Sequence, residues 1–333
     1  MYLFGTGATQ AEIIHSGWPG NIVMSNINSK VHDESKTNNG EYAKLIEELS
    51  ISPDDVDIEQ FISLFEDFIE SENKKFSKIM EEIKKYFHSS VIKNLLNKDG
   101  EYVPSNLSTA LISLHKKYSR FMGENGEELL GILTVNFDSL LENALMKSHD
   151  GINYGIDIKY NEIIKLDKIP QLIKLHGSFN WRGVEQIEAS PKYEKMDPDE
   201  KSRWLRPSVF KKPTSIYQEL WKNASKLLLD CDILRVVGCS LRTEDWALIS
   251  LIFQSQVEST KRFGIELILP DDSAESIRQR LPFLSRVKPI DEIYRTEFDK
   301  TNVFKSFVLR KFNEVAEKEQ AVKNERELRE MIE

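Results

Sequence analysis

The sequence predicts an α/β fold: a Rossmann-like, doubly wound parallel sheet with a helical insertion domain. Three observations support this prediction. Short apolar runs alternate with amphipathic stretches at the start of the chain and again after about residue 126, as strands and helices do in parallel sheets. Several of these runs end directly on glycine or on polar residues. Between the two regions, a long stretch has apolar residues at helical spacing only.

The predicted strands are short apolar runs bounded by turn residues, which is typical of strands buried on both faces. They cover residues 2–4, 21–24, 131–135, 172–175, 233–237, 265–269 and 287–290. Predicted helices carry Leu140, Leu141 and Leu145, then span residues 216–229, then carry Trp246, Leu248, Leu251 and Ile252. Residues 181–213 are rich in Pro, Lys and aromatic side chains and are predicted to form a long surface loop.

Residues 41–125 form the predicted helical insertion, because their apolar side chains make stripes along helices. The two clearest stripes are Phe61, Leu64, Phe65, Phe68 and Ile69, and Phe76, Ile79, Met80, Ile83 and Phe87. We therefore predict a catalytic domain made of residues 1–40 and 126–312. Residues 313–333 form a charged C-terminal helix, which is either solvated or an oligomer or partner contact. Its thin apolar stripe consists of Val322, Leu328, Met331 and Ile332.

Composition and charge exclude several classes of function. The 333 residues carry a net charge of -9, so bulk electrostatics do not favour direct nucleic-acid binding. No apolar run approaches the roughly 18 residues that a membrane span requires, and no membrane association is expected. Cys231 and Cys239 cannot form a four-cysteine zinc site, and we expect no metal. Since no secretory signal is recognisable, a cytoplasmic protein is predicted.

A turn of small residues follows the first predicted strand. It consists of Gly5, Thr6, Gly7, Ala8 and Thr9. Glycine allows the backbone to turn sharply and to approach a phosphate, and amides at the start of the next helix can bind phosphate oxygens. These residues are candidate nucleotide contacts. An ordinary tight turn remains an alternative, because the full dinucleotide fingerprint is not present.

Polar residues also follow two strands in the second half of the predicted sheet. Asn136 and Asp138 follow residues 131–135 and together offer the donors and acceptors that a ribose and a carboxamide require. Helix capping explains one of these two residues but not both. His176 follows the next strand, where a histidine suits proton transfer near neutral pH. In an open parallel sheet, such strand ends share one ligand-binding edge.

A third strand end carries a further candidate motif. Gly238 allows close backbone approach, and Ser240 can bond to a ribose or phosphate oxygen. A simple turn at the start of the following helix is the alternative interpretation.

In this order, the four motifs resemble those of the sirtuin-like family. Sirtuins carry G-A-G-x-S, T-x-N-x-D, H-G and G-x-S. Here these positions read Gly5-Thr6-Gly7-Ala8-Thr9, Thr134-Val135-Asn136-Phe137-Asp138, His176-Gly177 and Gly238-Cys239-Ser240. The forms N-F-D-S-L-L-E, K-L-H-G-S and G-C-S-L-R-T-E-D-W look closer to bacterial sirtuin-like NAD hydrolases of antiphage defence than to protein deacetylases. The segment Arg206-Pro207-Ser208, upstream of Trp221, also looks like that branch.

The sequence departs from the family pattern at several points. Thr9 stands where sirtuins have serine, which keeps a hydroxyl. The four-cysteine zinc module cannot be formed, and the arginine-containing segment after the glycine turn has no recognisable counterpart. The adenosine-side asparagine has no clear match near Leu269-Pro270-Asp271, so the adenine contacts are not assigned.

The resemblance implies that NAD+ is the substrate and is cleaved to nicotinamide and ADP-ribose, which would deplete NAD+ during antiviral defence. By resemblance, Asn136 positions the ribose and the attacking water, and His176 is the general base. Asp138 holds the nicotinamide carboxamide, while the glycine turn and Ser240 hold the diphosphate and ribose. Control of such an activity implies a homo-oligomer and/or a separately encoded ATPase partner. The alternatives are a non-catalytic module that binds NAD or ADP-ribose, and an NAD-dependent protein deacylase.

Overall fold

A parallel sheet forms the centre of the molecule. The computed structural model describes residues 1–69, 74–158, 169–183, 187–189, 204, 215–284, 287–289 and 302–332. The strands in these ranges are β1 (Tyr2–Phe4), β2 (Gly131–Thr134), β3 (Gln171–Lys174), β4 (Trp181–Arg182), β5 (Glu188–Ala189), β6 (Ile233–Val237), β7 (Gly264–Ile268) and β8 (Val287–Pro289). Within the described chain, six parallel strands make one sheet in the order β3-β2-β1-β6-β7-β8.

The middle of this sheet is where the order of the strands reverses. β1 lies between β2 and β6, with Leu3 opposite Leu133 on one side and Val236 on the other. The chain adds β2 and β3 beyond one edge of β1, and it adds β7 and β8 beyond β6 in the opposite direction. The predicted Rossmann-like, doubly wound sheet is therefore confirmed. Its ligand crevice is expected outside the carboxyl ends of β1 and β6.

Helices cover the sheet and form a second cluster beside it. They are α1 (Thr6–His15), α2 (Met24–Thr37), α3 (Glu41–Glu48), α4 (Ile58–Ile69), α5 (Lys74–Leu95), α6 (Asn106–Tyr118), α7 (Leu140–His149), α8 (Ser215–Asp230), α9 (Trp246–Glu258), α10 (Asp271–Arg280) and α11 (Val303–Ile332). None of the helices in the described ranges is both long enough and apolar enough to cross a membrane.

The strand predicted at residues 21–24 is wrong. Residues 21–23 have no regular structure, and α2 begins at Met24. Ile22 is buried with Ile13 and Leu95, so the apolar side chain that suggested a strand serves a helical interface. Ile27 and Val31 follow at a spacing of four residues and are buried in the helical cluster, which is the pattern of a helix.

The helical cluster is built from α2 to α5. Ile27, Ile46, Ile62 and Ile83 are all buried in its core. α6 instead packs on the sheet, because Leu107, Leu111 and Ile112 belong to the main core. The predicted boundaries of the insertion, 41 and 125, stay a prediction. From this packing we propose residues 24–95 as its limits.

Two other predicted segments differ in detail. The predicted loop at residues 181–213 contains a short antiparallel pair, in which Trp181 of β4 lies opposite Ala189 of β5 and is fully buried. Residues 206–208 lie outside the described residues. The predicted C-terminal helix begins ten residues early, at Val303, because Phe304 and Phe307 anchor its first turns in the main core. Val322 is exposed, and the side chains of Leu328, Met331 and Ile332 lie outside the described residues.

Candidate active site

A cavity of about 620 Å³ lies at the carboxyl ends of β1, β2, β3 and β6. This volume is in the range of small-molecule sites. Its lining includes the sequence-predicted residues Gly5, Thr6, Gly7, Asn136, Asp138, His176, Gly238 and Ser240. Ala8 and Thr9 are buried in the first turn of α1, next to this lining. The candidate residues of all four motifs therefore lie together in the structure, in or next to the lining of this cavity.

The wall contributed by the helical cluster is largely apolar. It includes Ile27 of α2 together with Phe87 and Val91 of α5. The cavity therefore has a polar side, made by the strand ends, and an apolar side, made by the insertion. A ligand with a polar sugar-phosphate part and a flat aromatic ring matches such a division.

The glycine turn packs directly against the loop after β6. A Cβ atom on Gly7 would lie 2.9 Å from Gly238 Cα, and one on Gly238 would lie 2.0 Å from the Ala8 nitrogen. Gly238 also has φ +60°, a backbone conformation that favours glycine. The glycines are therefore required for the contact between two turns, whatever the ligand is.

This contact occupies amides that the sequence had assigned to phosphate. The Gly5 amide donates to the Val237 carbonyl at 2.9 Å, and the Gly7 amide donates to the Gly238 carbonyl at 2.8 Å. The Ala8 amide donates to Gly5 at 2.9 Å, as in a helical first turn. The turn shapes the floor of the cavity, but these three amides have no donor capacity left for a diphosphate.

Asn136 is held by a short chain of buried hydrogen bonds. Its Nδ2 donates to Thr9 Oγ1 at 3.0 Å, and Thr9 Oγ1 donates to Asp138 Oδ2 at 2.8 Å. The Asn136 amide donates to Thr134 Oγ1 at 3.0 Å. Among the described residues, Asn136 Oδ1 is buried and has no hydrogen-bond partner. Because a buried carbonyl oxygen without a partner is costly, this atom is expected to bind a ligand or water group.

Both carboxylate oxygens of Asp138 accept hydrogen bonds within the protein, which the sequence did not predict. Oδ2 accepts from Thr9, and Oδ1 accepts from the Leu140 amide in the first turn of α7, at 3.1 Å. Asp138 therefore serves the start of α7 by accepting from its first amide, although Ser139 is the N-cap residue. Asp138 lines the cavity, but each of its carboxylate oxygens already accepts a bond from the protein. A nicotinamide carboxamide at Asp138 would have to use a remaining lone pair or displace one of these donors.

His176 lines the same cavity, two residues after the end of β3. Its side chain is only 4% exposed, and the ring centroid of Phe137 is 6.1 Å from that of the imidazole. The next residue, Gly177, has φ +76° and donates its amide to Lys174 at 3.0 Å, which turns the chain sharply at the strand end. This turn leaves His176 on the cavity side, where a histidine can exchange a proton with a bound ligand.

A buried ion pair supports the loop that carries Asn136 and Asp138. Lys174 Nζ lies 2.8 Å from Glu142 Oε1, with side-chain exposures of 0% and 3%. Lys174 Nζ also donates to the Asp138 carbonyl. Burial raises the pKa of Glu142, and the charge of Lys174 opposes that shift. The pair joins β3, α7 and the Asn136 loop into one rigid unit.

An ionic contact closes one rim of the cavity. Arg242, in the loop after β6, lies 3.3 Å from Asp57 Oδ2 and also pairs with Glu59, at the start of α4. Gln60 Nε2 donates to Glu244 Oε1 at 3.0 Å beside it. Burial lowers the pKa of Arg242, but the carboxylates of Glu59, Asp245 and Asp57 outweigh it, and the pKa is raised. The rim therefore joins the helical cluster to the sheet.

Sequence reasoning missed several lining residues: Gln10, Glu59, Arg242, Asp245 and Asn302. One signal was available for Arg242, which stands two residues after Ser240 in the third motif. Glu59 and Asn302 lie far from every motif, and only the fold brings them to the cavity. In the described part of the chain, no three His, Cys, Asp or Glu side chains are grouped so that they could hold a metal ion.

Comparison with known proteins gives one domain match. The model of the SIR2-like domain matches residues 130–285, which include β2, β3, β6 and β7 with their motifs. No curated protein matches the chain. An ADP-ribose complex of a mutant Sir2 homologue is 15% identical, with a TM-score of 0.44, over 95% of this chain and 92% of the other. A structure described as the basis for the mechanism and regulation of Sir2 enzymes is 15% identical, with a TM-score of 0.42, over 96% and 92%.

Proposed function

We propose that the chain is an NAD+ hydrolase of the sirtuin-like type, on the strength of the SIR2-like domain match at residues 130–285 and the four motifs at one sheet edge. The reaction would consume NAD+ and water and release nicotinamide, ADP-ribose and a proton. NAD+ is thus the substrate of the proposed enzyme, and the proposal requires no metal.

The observation that carries the proposal is the hydrogen bonding of the Asn136 side chain. Thr9 fixes its Nδ2, so its Oδ1 has a defined direction, and that oxygen is buried without a partner among the described residues. Such an atom can accept a hydrogen bond from a ribose hydroxyl or from an attacking water. His176 lines the same cavity. An oriented acceptor and a proton acceptor at one edge are the groups that water attack on a sugar carbon needs.

The chemistry then follows from the bond that breaks. The bond between the ribose C1′ and the nicotinamide ring nitrogen breaks, and its electron pair returns to the ring, which becomes neutral. Water forms the new C1′–O bond. His176 accepts the proton that the water loses, and Asn136 holds the ribose and the water in line. Ser240 and the glycine turn would shape the diphosphate and ribose side, and Asp138 would act both on Asn136 through Thr9 and on the nicotinamide carboxamide.

Hydrolysis is favoured over protein deacylation by the composition of the chain. The sequence has two cysteines, and a four-cysteine zinc module is therefore impossible. Water as the acceptor needs no such module to dock it.

The test is NAD+ loss, with nicotinamide and ADP-ribose measured by chromatography. Wild type should consume NAD+, and Asn136→Ala and His176→Ala should each lose activity by about 100-fold or more, as expected when a positioned reacting group is removed. Circular dichroism melting checks that both variants fold. Equal NAD+ consumption by all three proteins would contradict the roles of Asn136 and His176.

Two other results would point to the alternatives. Binding of NAD+ or ADP-ribose without turnover, in wild type and with every activator tried, would favour the non-catalytic binding module. Release of O-acetyl-ADP-ribose from an acetyl-lysine peptide would favour the deacylase.

We also propose that the enzyme acts in bacterial antiviral defence, in the cytoplasm, and is controlled by assembly into a homo-oligomer and/or with a separately encoded ATPase. The form of the motifs supports the first part. Exposed apolar side chains support assembly, since Trp246 is 59% exposed, Phe312 58% and Val257 64%. Light scattering on the purified chain tests it: a strict monomer that is fully active alone would contradict control by assembly.

A further inference from the structure

The charges around the cavity do not suit a dinucleotide as they stand. A diphosphate brings two negative charges, and the lining already contains the carboxylates of Glu59, Asp138 and Asp245. Among the described lining residues, Arg242 is the only lysine or arginine. The amides of the glycine turn that donate to protein carbonyls cannot supply the missing positive charge. Within the described lining, Arg242 is therefore the permanently charged cation that a bound diphosphate could contact.

Arg242 is held by acidic residues of the helical cluster. Nη1 lies 3.3 Å from Asp57 Oδ2, and Nη2 donates to Glu59 Oε2. Asp57 precedes α4 and Glu59 lies in its first turn, whereas Arg242 follows β6 on the other side of the cavity. The Arg242 side chain is 29% exposed and that of Glu59 is 9% exposed, so this contact is partly shielded from solvent. It bridges one rim of the cavity.

The backbone before Arg242 is fixed in an uncommon conformation. Leu241 has φ +44°, which is rare for a residue with a branched side chain, and its side chain is fully buried. Arg280 Nη2 donates to the carbonyls of Ser240 and Leu241, at 2.8 and 2.7 Å. The loop is therefore anchored on both sides, and it presents Arg242 across the rim rather than to bulk solvent.

We propose that Arg242 is the diphosphate-binding residue of the cavity, and that Asp57 and Glu59 occupy its guanidinium in the free protein in place of phosphate oxygens. The inference rests on the proposed function, because it takes a dinucleotide as the ligand. Two carboxylates on one guanidinium offer the same charge and hydrogen-bond acceptors as two phosphate oxygens. Nucleotide binding and the rim contact therefore compete for one residue, and the helical cluster sets the affinity of the cavity.

The test is calorimetric binding of ADP-ribose, with adenosine as a probe that lacks the diphosphate. The double variant Asp57→Asn, Glu59→Gln removes both charges but keeps the shapes. The introduced asparagine would still cap α4, where Asp57 Oδ1 now accepts from the Glu59 amide at 2.8 Å. We expect ADP-ribose to bind about fivefold more tightly to this variant, and adenosine to bind as in wild type.

Two further variants sharpen the test. Arg242→Gln should weaken ADP-ribose binding by about tenfold or more, the loss expected for a charge-assisted pair, and Arg242→Lys should recover part of it. Gln60→Ala is the matched control, because it removes the neighbouring bond to Glu244 and leaves Arg242 paired. It should leave ADP-ribose affinity within about twofold of wild type.

Several outcomes would overturn the inference. Unchanged ADP-ribose affinity in Arg242→Gln would show that the guanidinium does not bind the diphosphate. Weaker binding by the double variant would show that the carboxylates support the site rather than occupy its cation. Absence of hydrolysis in a wild type that still binds ADP-ribose would contradict the NAD+ hydrolase alone, whereas failure of wild type to bind ADP-ribose would overturn both proposals.

Discussion

Two buried polar regions of this molecule are arranged in opposite ways. One is the cavity at the strand ends. The other is the charge cluster, on the face of the sheet covered by α6 and α11. The charge cluster consists of Tyr2, His115, Glu127, Arg235, Glu266 and Lys311. Both regions contain largely buried polar side chains, yet the hydrogen-bonding atoms of these side chains are paired to different degrees.

The members of the charge cluster pair with one another. Arg235 makes a two-pronged contact with Glu127, at 2.7 and 2.9 Å, and its Nε lies 2.7 Å from Glu266. Lys311 reaches the same Glu127 at 3.2 Å, which ties α11 to the sheet. Burial lowers the pKa of Arg235, but Tyr2 and the carboxylates of Glu266 and Glu127 outweigh it and hold the pKa well above its ordinary value. Such a network fixes the packing of a helix on a sheet.

In the cavity, by contrast, polar side chains are less completely paired within the protein. Asn136 Oδ1 has no partner within the described residues, and Arg242 pairs with carboxylates that we propose a bound diphosphate replaces. Natural proteins depart from full polar satisfaction mainly where they bind or react. Polar and charged side chains therefore stabilise the fold in the charge cluster, whereas in the cavity some of them are available to a ligand. Substitutions in each region should separate stability from function.

The largest effect is expected from Arg235→Met in the charge cluster. The change leaves the partly buried carboxylates of Glu127 and Glu266 without their arginine, and it should lower the free energy of unfolding by about 3–5 kcal/mol. Urea unfolding followed by circular dichroism measures this value. ADP-ribose affinity should be unchanged at a temperature where the variant is folded. If Asn136→Ala lowers stability more than Arg235→Met does, the division of roles between the two regions is wrong.

The next effect is a loss of stability in mild acid, caused by His115. Burial is the main cause that lowers the pKa of His115 to about 4, and its ring bonds to Tyr2 Oη. Because the unfolded state has the higher pKa, near 6.5, it binds the proton first as the pH falls. Stability should therefore drop between pH 6.5 and pH 4, by roughly 3 kcal/mol for this residue.

Urea unfolding at pH 7, 5.5 and 4 measures this slope. His115→Gln should flatten it, with a remainder from His88, whose pKa burial also lowers to about 4. Glu127 does not contribute in this window to the same degree, because Arg235 and Lys311 outweigh burial and bring its pKa to about 2. A slope that is identical in wild type and His115→Gln would assign the acid sensitivity to other groups.

The smallest of these effects should come from Thr9, which links the two polar side chains of the cavity. Thr9→Val keeps the shape but removes the hydroxyl between Asn136 and Asp138. Turnover of NAD+ should fall by about tenfold, since Asn136 loses its orientation, and stability should fall by about 1–2 kcal/mol. Thr9→Ser should restore most of the activity because it keeps the hydroxyl. Failure of Thr9→Ser to do so would indicate a role for the methyl group instead.

Much of the sheet could be predicted from the sequence because its strands are short, apolar and followed by diagnostic residues. β2, β3 and β6 were located by apolar runs that end at Asn136, His176 and Gly238, and parallel strands bring such ends together. The same logic failed at residues 21–24. A run containing Ile22 and Val23 is too short to distinguish a strand from the entry to a helix, and only the buried positions of Ile27 and Val31 decide it.

The site could be predicted less completely, because its chemistry depends on contacts between distant segments. The occupied amides of Gly5 and Gly7 follow from their packing on Gly238, which is not visible in any local pattern. The pairing of Arg242 with Asp57 and Glu59 joins residues separated by 185 and 183 positions. A single sequence shows which residues follow a strand, but not which partners already use their hydrogen bonds.

One helix connects the cavity to the outside of the molecule. α11 begins with Val303 and Phe304 in the cavity wall and continues without a break to Ile332. At about 1.5 Å per residue, its 30 residues span about 45 Å. Its first turns are buried in the core, whereas residues 319–324 are exposed. α11 is therefore one continuous element, with its first residues in the wall of the cavity and residues 319–324 exposed to solvent. A molecule that binds the exposed part of α11 would contact the same helix that forms part of the cavity wall.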